Sequence, residues 1–398
     1  MKAKLKLILT IAIFFFFTAN CTKTKIAEKA EWKGEIEDEN GVKVVKNPAE
    51  PVYGEILLDL EEDLSIGRED DDNYMFYRVR KIDVDDQGNI YVLEGGNCRL
   101  QKFDLTGQYL QTIGKKGQGP GEFESPSRLF LDEENNIYVS EYRKIHIFNS
   151  KGEFVNSILL SNFTTDFSIT PDKSIFGVAS IRTEEKSNRC IVKMDPKGKI
   201  IKNIAQFAAY RPVQRKGTGD SITTFSISHQ YNPALYFSRS VNNKHLYAHS
   251  SEYSLFQVNL EGNLELIIKK EEPQHLISQK EKNKIYESFS ELAERWPKGV
   301  VKEAVQFPSH RPFFNKIATD ERGRIYVRRV KSAIDESEEV EFDIFSKEGY
   351  YLYKTKLPFT PEIIKNGYFY DHYSSEETGE VSIKRYKVRN WGKIAEGI

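Results

Sequence analysis

The sequence predicts an all-β fold: a six-bladed β-propeller, closed by an N-terminal strand and carrying one inserted amphipathic helix. Three observations predict it. The tetrapeptide Asn-Ile-Tyr-Val occurs at Asn89–Val92 and Asn136–Val139, each time inside a longer unit, Lys81–Leu110 and Arg128–Val155. The same order of apolar strand, acidic turn, strand, alternating strand and Gly turn returns at 167–201, 245–267 and 316–354, with a degraded copy at 367–388. Alternation such as Ile90-Tyr91-Val92 and Leu255-Phe256-Gln257-Val258 is a strand pattern, and units of 40–50 residues with about four short strands build propeller blades.

Composition agrees with a chain of sheets. The 398 residues include 21 Tyr and 25 Phe against three Met, and mean hydropathy is −0.55; pleated surfaces favour such aromatics. Net charge is −1 with both signs interspersed, so no electrostatic footprint for nucleic acid is present.

The first residues form a leader. Lys2, Lys4 and Lys6 precede an apolar run from Leu7 to Phe17, then Thr-Ala-Asn-Cys at 18–21. A basic start and a short apolar stretch are signal-peptide anatomy. Residues 1–20 are therefore expected to be removed, with Cys21 as the lipid-modified start of a bacterial lipoprotein. Residues 21–50 read as a tether and a β-hairpin lead-in, since Asn40-Gly41 separates two alternating runs. Cys98 and Cys190 are the only other cysteines, too few for a disulfide framework.

The propeller is expected over 51–390, with a C-terminal tail at 391–398. The first blade opens on DVDDQGNIYVLE (83–94), where Asp83, Asp85, Gln87, Gly88 and Glu94 match an EF-hand loop in spacing. The second unit has Phe130 and the fifth Ala318 in the place of Asp83, and each turn leads into a strand. The stretch is thus expected to be a hairpin turn, with no calcium and no other cofactor. The turn glycines of successive units are Gly107, Gly152, Gly198, Gly262 and Gly349. The wider later spacings imply insertions. The first, 205–235, reads as a long loop. The second, 273–312, holds a helix: Ser278 and Glu281 form a capping box, Ile285, Phe289, Leu292 and Trp296 form one apolar face, and Pro297 ends it. The ring lacks one strand, which VYGEILLDL (52–60) is expected to supply by pairing with 367–388.

Residues 114–154 resemble an NHL-type repeat. Gly117, Gly119, Pro120, Gly121, Phe123 and Pro126 match the Gly-rich connector between blades, followed by Asp132–Val139 and Lys144–Phe148; Arg99, Leu100 and Phe103 match the latter element in the first blade. With the lead-in NPAEPVYGEILLDL (47–60), the chain looks like the six-bladed propeller lipoproteins of bacterial envelopes. The connector fits neither phosphate motif: it lacks the Lys-Ser/Thr ending of a P-loop, and Glu122 stands at the last Gly of a dinucleotide fingerprint.

Catalytic motifs are missing from the sequence. The seven histidines (146, 229, 245, 249, 275, 310, 372) include no HExxH pattern, and no G-x-S-x-G elbow occurs. Loops on one end of a rigid ring usually carry recognition, so the candidate binding residues are Arg211, His229, Tyr231, His310 and Arg311 of the insertions. The expectation is a lipid-anchored envelope protein recognising a protein, peptide or glycan. The alternative is a metal-dependent propeller hydrolase or lyase, lactonase-like in type.

Overall fold

Six four-stranded antiparallel blades stand about a central channel and form the body of the protein. The computed structural model describes residues 31–182, 187–209, 213–216, 222–225, 227–239, 243–295, 299–375 and 378–398. Cys21 with the whole leader, Arg211, Trp296 and Pro297 lie outside the described residues.

Blade 1 runs from inner strand Val79–Val84 to outer strand Tyr109–Ile113, and blade 2 from Arg128–Leu131 to Phe154–Leu159. Blade 3 spans Thr164–Ile169 to Ile200–Ala208, blade 4 Leu235–Arg239 to Leu264–Lys270, and blade 5 Phe314–Thr319 to Tyr351–Leu357. Blade 6 has only three strands of its own, Ile363–Lys365, Tyr368–Ser374 and Val381–Val388. Its fourth is Leu60–Ile66, paired from Val388↔Leu60 to Ile383↔Ile66 with a bulge between Tyr386 and Arg385.

The closing strand is therefore displaced from the expected segment 52–60. Residues 52–56 instead run beside blade 5, where Val52 N–H donates to Tyr351 O at 2.9 Å and Ile56 N–H to Lys354 O at 2.9 Å. Pairing partner, which composition does not specify, decides between the two.

The repeated Ile-Tyr-Val has a direct packing reason. In strand Ile90–Glu94 every residue is buried. Ile90 and Val92 pack with Phe103 against Tyr370 and Ile383 of blade 6, whereas Tyr91 and Leu93 pack against Leu129 and Val139 of blade 2. A blade has two core faces, so its central strand is apolar at both parities.

Turn chemistry sets the register. Gly107, Gly152, Gly198, Gly262 and Gly349 all take φ between 73° and 96°, the left-handed region that glycine enters freely. At each of these turns the residue three positions earlier accepts two backbone N–H bonds: Asp104, Asn149, Asp195, Asn259 and Ser346. The inner turns repeat the device with Asp85, Asp132 and Asp320, each also accepting a tyrosine hydroxyl, from Tyr91, Tyr138 and Tyr326. Within the EF-hand-like stretch, Asp85 is thus spent on the turn and Glu94 on Tyr77 N–H and Arg99 at the far end of the strand.

The Asn40-Gly41 hairpin, Glu35–Glu39 and Val42–Asn47, lies parallel on the outer strand of blade 4, making a six-stranded sheet. The first insertion is more ordered than a long loop: Val213–Lys216 pairs with Ile222–Phe225, and blade 4 already begins at Leu235. The second holds three short helices, α1 (Gln279–Glu287), α2 (Ser290–Arg295) and α3 (Val300–Ala304). Ser278 and Glu281 form the expected reciprocal cap. The expected single helix breaks after Glu287, where Ser288 Oγ donates to Ile285 O at 2.7 Å and competes with the helical ladder.

Candidate functional site: the central channel

Each inner strand turns one set of side chains toward the axis. Together they line a cavity of about 700 Å³. Asp85, Asp132 and Asp320 of the inner turns rim one end. Strand order puts the insertions and inter-blade connectors at the opposite end.

The waist carries both charges: Lys81, Arg128, Arg189 and Lys316 among the cations, Asp83, Asp166 and Glu362 among the acids. Two acids clasp neighbouring blades. Glu362 accepts Ile82 N–H at 3.0 Å, and Asp83 accepts Leu131 N–H at 3.1 Å. Asp166 accepts the N–H of its neighbour Phe167. Burial pushes the Asp83 and Asp166 carboxyls up from the usual range. Burial likewise holds the Lys316 ammonium down to about 8, although it donates to Pro361 O at 2.5 Å. Burial lowers the Arg189 guanidinium, which donates to Ser180 Oγ at 2.6 Å.

Beside Glu362, on its insertion side, stand Asp371 and His372. His372 Nδ1 lies 3.2 Å from Glu362 and 4.0 Å from Asp371, and Lys81 Nζ is 3.4 Å from Glu362. Burial opposes the Glu362 charge, but His372, Lys81 and Ile82 N–H outweigh it and hold the carboxyl at about 2. Burial raises Asp371 to about 6, and the Glu362 hydrogen bond raises His372.

The four described insertion candidates lie outside the cavity lining. Tyr231 is fully buried, its hydroxyl donating to Glu281 at 2.6 Å and accepting Ala333 N–H at 2.6 Å. Arg311 Nε is 3.6 Å from the same Glu281. His229 Nε2 lies 2.8 Å from Gln306 O, and His310 Nδ1 lies 2.9 Å from Ser309 Oγ. These contacts fasten the two insertions to each other and to the 332–333 segment. Burial opposes the Glu281 charge, yet the hydroxyls of Tyr231, Ser278 and Ser332 bring its carboxyl to about 2.

Apart from Asp83, noticed only for its EF-hand-like spacing, the channel residues escaped sequence reasoning: the inner strands carry charged or polar residues at several positions, as in Val79–Val84, Thr164–Ile169 and Phe314–Thr319. A charge in a short strand does not say whether it faces an axis or solvent.

The family model described as "Domain of unknown function (DUF4934)" matches residues 69–396. No curated protein matches the sequence. Among solved structures, a Bacteroides fragilis NCTC 9343 protein provisionally described as exported is 12% identical with a TM-score of 0.51, covering 87% of this chain and 99% of its own. A DUF4221 family member from Bacteroides vulgatus ATCC 8482 is 11% identical, with a TM-score of 0.45 and coverage of 83% and 98%. The virginiamycin B lyase of Staphylococcus aureus is 9% identical, with a TM-score of 0.39 and coverage of 82% and 99%.

Proposed function

The chain belongs to the DUF4934 family, and on that premise we propose that it is a binding protein of the bacterial cell envelope, anchored through lipid on Cys21, which takes a peptide or glycan segment into its central channel. The cavity of about 700 Å³ carries this proposal. Its size lies within the range of small-ligand sites, roughly 300–1,000 Å³. Its walls are inner strands rather than loops, so the lining is held rigidly. Cations and acids at one waist suit a polar ligand that both donates and accepts hydrogen bonds. The anchor is supported by the basic, apolar and cysteine order of residues 2–21.

Titration calorimetry of the purified protein with short peptides and with neutral and acidic oligosaccharides tests the site. A ligand should bind and be weakened about tenfold or more by Asp166→Asn or Arg128→Ala, as expected when a charge-assisted hydrogen bond is lost. A ligand indifferent to both changes but lost on His310→Ala would move recognition to the insertions. Mass spectrometry of the native N-terminus tests the anchor; a start other than acylated Cys21 refutes it.

A further inference from the structure

Blade 6 brings an imidazole and two carboxylates together where its first two strands meet the channel. Glu362 immediately precedes the inner strand, and Asp371 and His372 are consecutive on the next one. One ligand-capable atom from each of the three lies within 4.8 Å of the others. Consecutive residues of a strand normally face opposite ways. Here Asp371 folds back to accept its neighbour's N–H at 2.9 Å, which returns its carboxylate to the His372 side. Glu362 is fixed by the Ile82 N–H of the adjoining blade, and it also lines the cavity. A preorganised ligand on a cavity wall differs from an acid pair on open surface.

We propose that Glu362, Asp371 and His372 hold one divalent transition-metal ion, of the zinc or manganese class, on the insertion side of the channel. The donor set argues for that class. Calcium and magnesium favour oxygen-only shells, whereas an imidazole with carboxylates suits zinc, manganese or iron(II). Three protein ligands leave at least one coordination position open. The site shares Glu362 with the channel lining, but its test needs no channel ligand.

Two cations face the cluster, Lys81 at 3.4 Å from Glu362 and the half-buried Lys316 beside Pro361. Lys81 shares the Glu362 carboxylate, so a metal must displace it. Metal binding also requires His372 neutral and Asp371 ionised. Binding therefore releases protons and strengthens as pH rises.

The test is calorimetry of chelator-treated protein with ZnCl₂ and MnCl₂ at pH 6.0 and 7.5. One equivalent should bind, severalfold tighter at the higher pH. Lys81→Ala should tighten binding severalfold, because it removes the competing cation. Asp371→Asn combined with His372→Ala should abolish it. His372 is 40% exposed, so His372→Gln alone serves if the double variant fails to fold. Absence of stoichiometric uptake by the unmodified protein, uptake retained in a folded variant lacking the His372 imidazole, or weakening by Lys81→Ala would each overturn the site.

Discussion

Arg324 is among the largest side chains wholly withdrawn from water in the described residues. Its Nε donates to Asp320 at 2.6 Å, Nη1 to Ile394 O at 3.0 Å, and its guanidinium lies 4.1 Å from the Trp391 ring. It therefore ties a blade-5 turn to the C-terminal tail. Arg324→Ala leaves Asp320 buried without its counter-ion, and denaturant titration should show a loss of about 3–5 kcal/mol. His245 gives a pH signature. It stacks on Phe176 at 4.1 Å, with Nε2 2.7 Å from Ser168 Oγ. Burial holds its pKa down to about 3. Below about pH 6.5 the unfolded chain takes up a proton that the folded chain refuses. Stability from this residue is therefore complete above that pH and declines as pH falls toward 3, by up to about 1.4 kcal/mol per unit. Denaturation midpoints at pH 7.5 and 5.0 should differ less in His245→Phe than in the unmodified protein.

Among the elements, the N-terminal hairpin does more than precede the ring. Its last residue, Asn47, is buried and satisfied on all sides. Nδ2 donates to Gly349 O at 2.8 Å and Lys269 O at 3.1 Å, while Oδ1 accepts Tyr351 N–H at 2.8 Å and Trp32 Nε1–H at 3.0 Å. The hairpin thus joins the outer edges of blades 4 and 5. Asn47→Ala strands a buried carbonyl and a buried N–H, and thermal or denaturant unfolding should report a loss of about 2 kcal/mol. The Asn-Gly turn and alternation made the hairpin legible, but the same pattern fits any free sheet edge. The divided helix shows the reverse case: Ser278 marked its start, whereas its end depended on where Ser288 and Phe289 packed.

For the whole molecule, closure is decisive. Leu60–Ile66 completes blade 6, and Arg385 holds Asp63 through two bonds of 2.9 and 3.0 Å. Without that strand, Val381–Val388 would present an unpaired edge beside the exposed apolar face of Ile383 and Tyr370. A chain starting at residue 68 should lose its single cooperative melt and associate, as read by calorimetry and size-exclusion chromatography.

By itself the sequence determined the blades. Their turns are written in residues three to five apart, as in Asp104 to Gln108, and their strands in alternation, so a short window suffices. Only the tertiary structure decided what meets at the axis. Ile82 and Glu362 are 280 residues apart and touch because the last blade abuts the first. Whether a charge in a five-residue strand faces a channel, and which partners join it there, depends on ring closure, which no local spacing encodes.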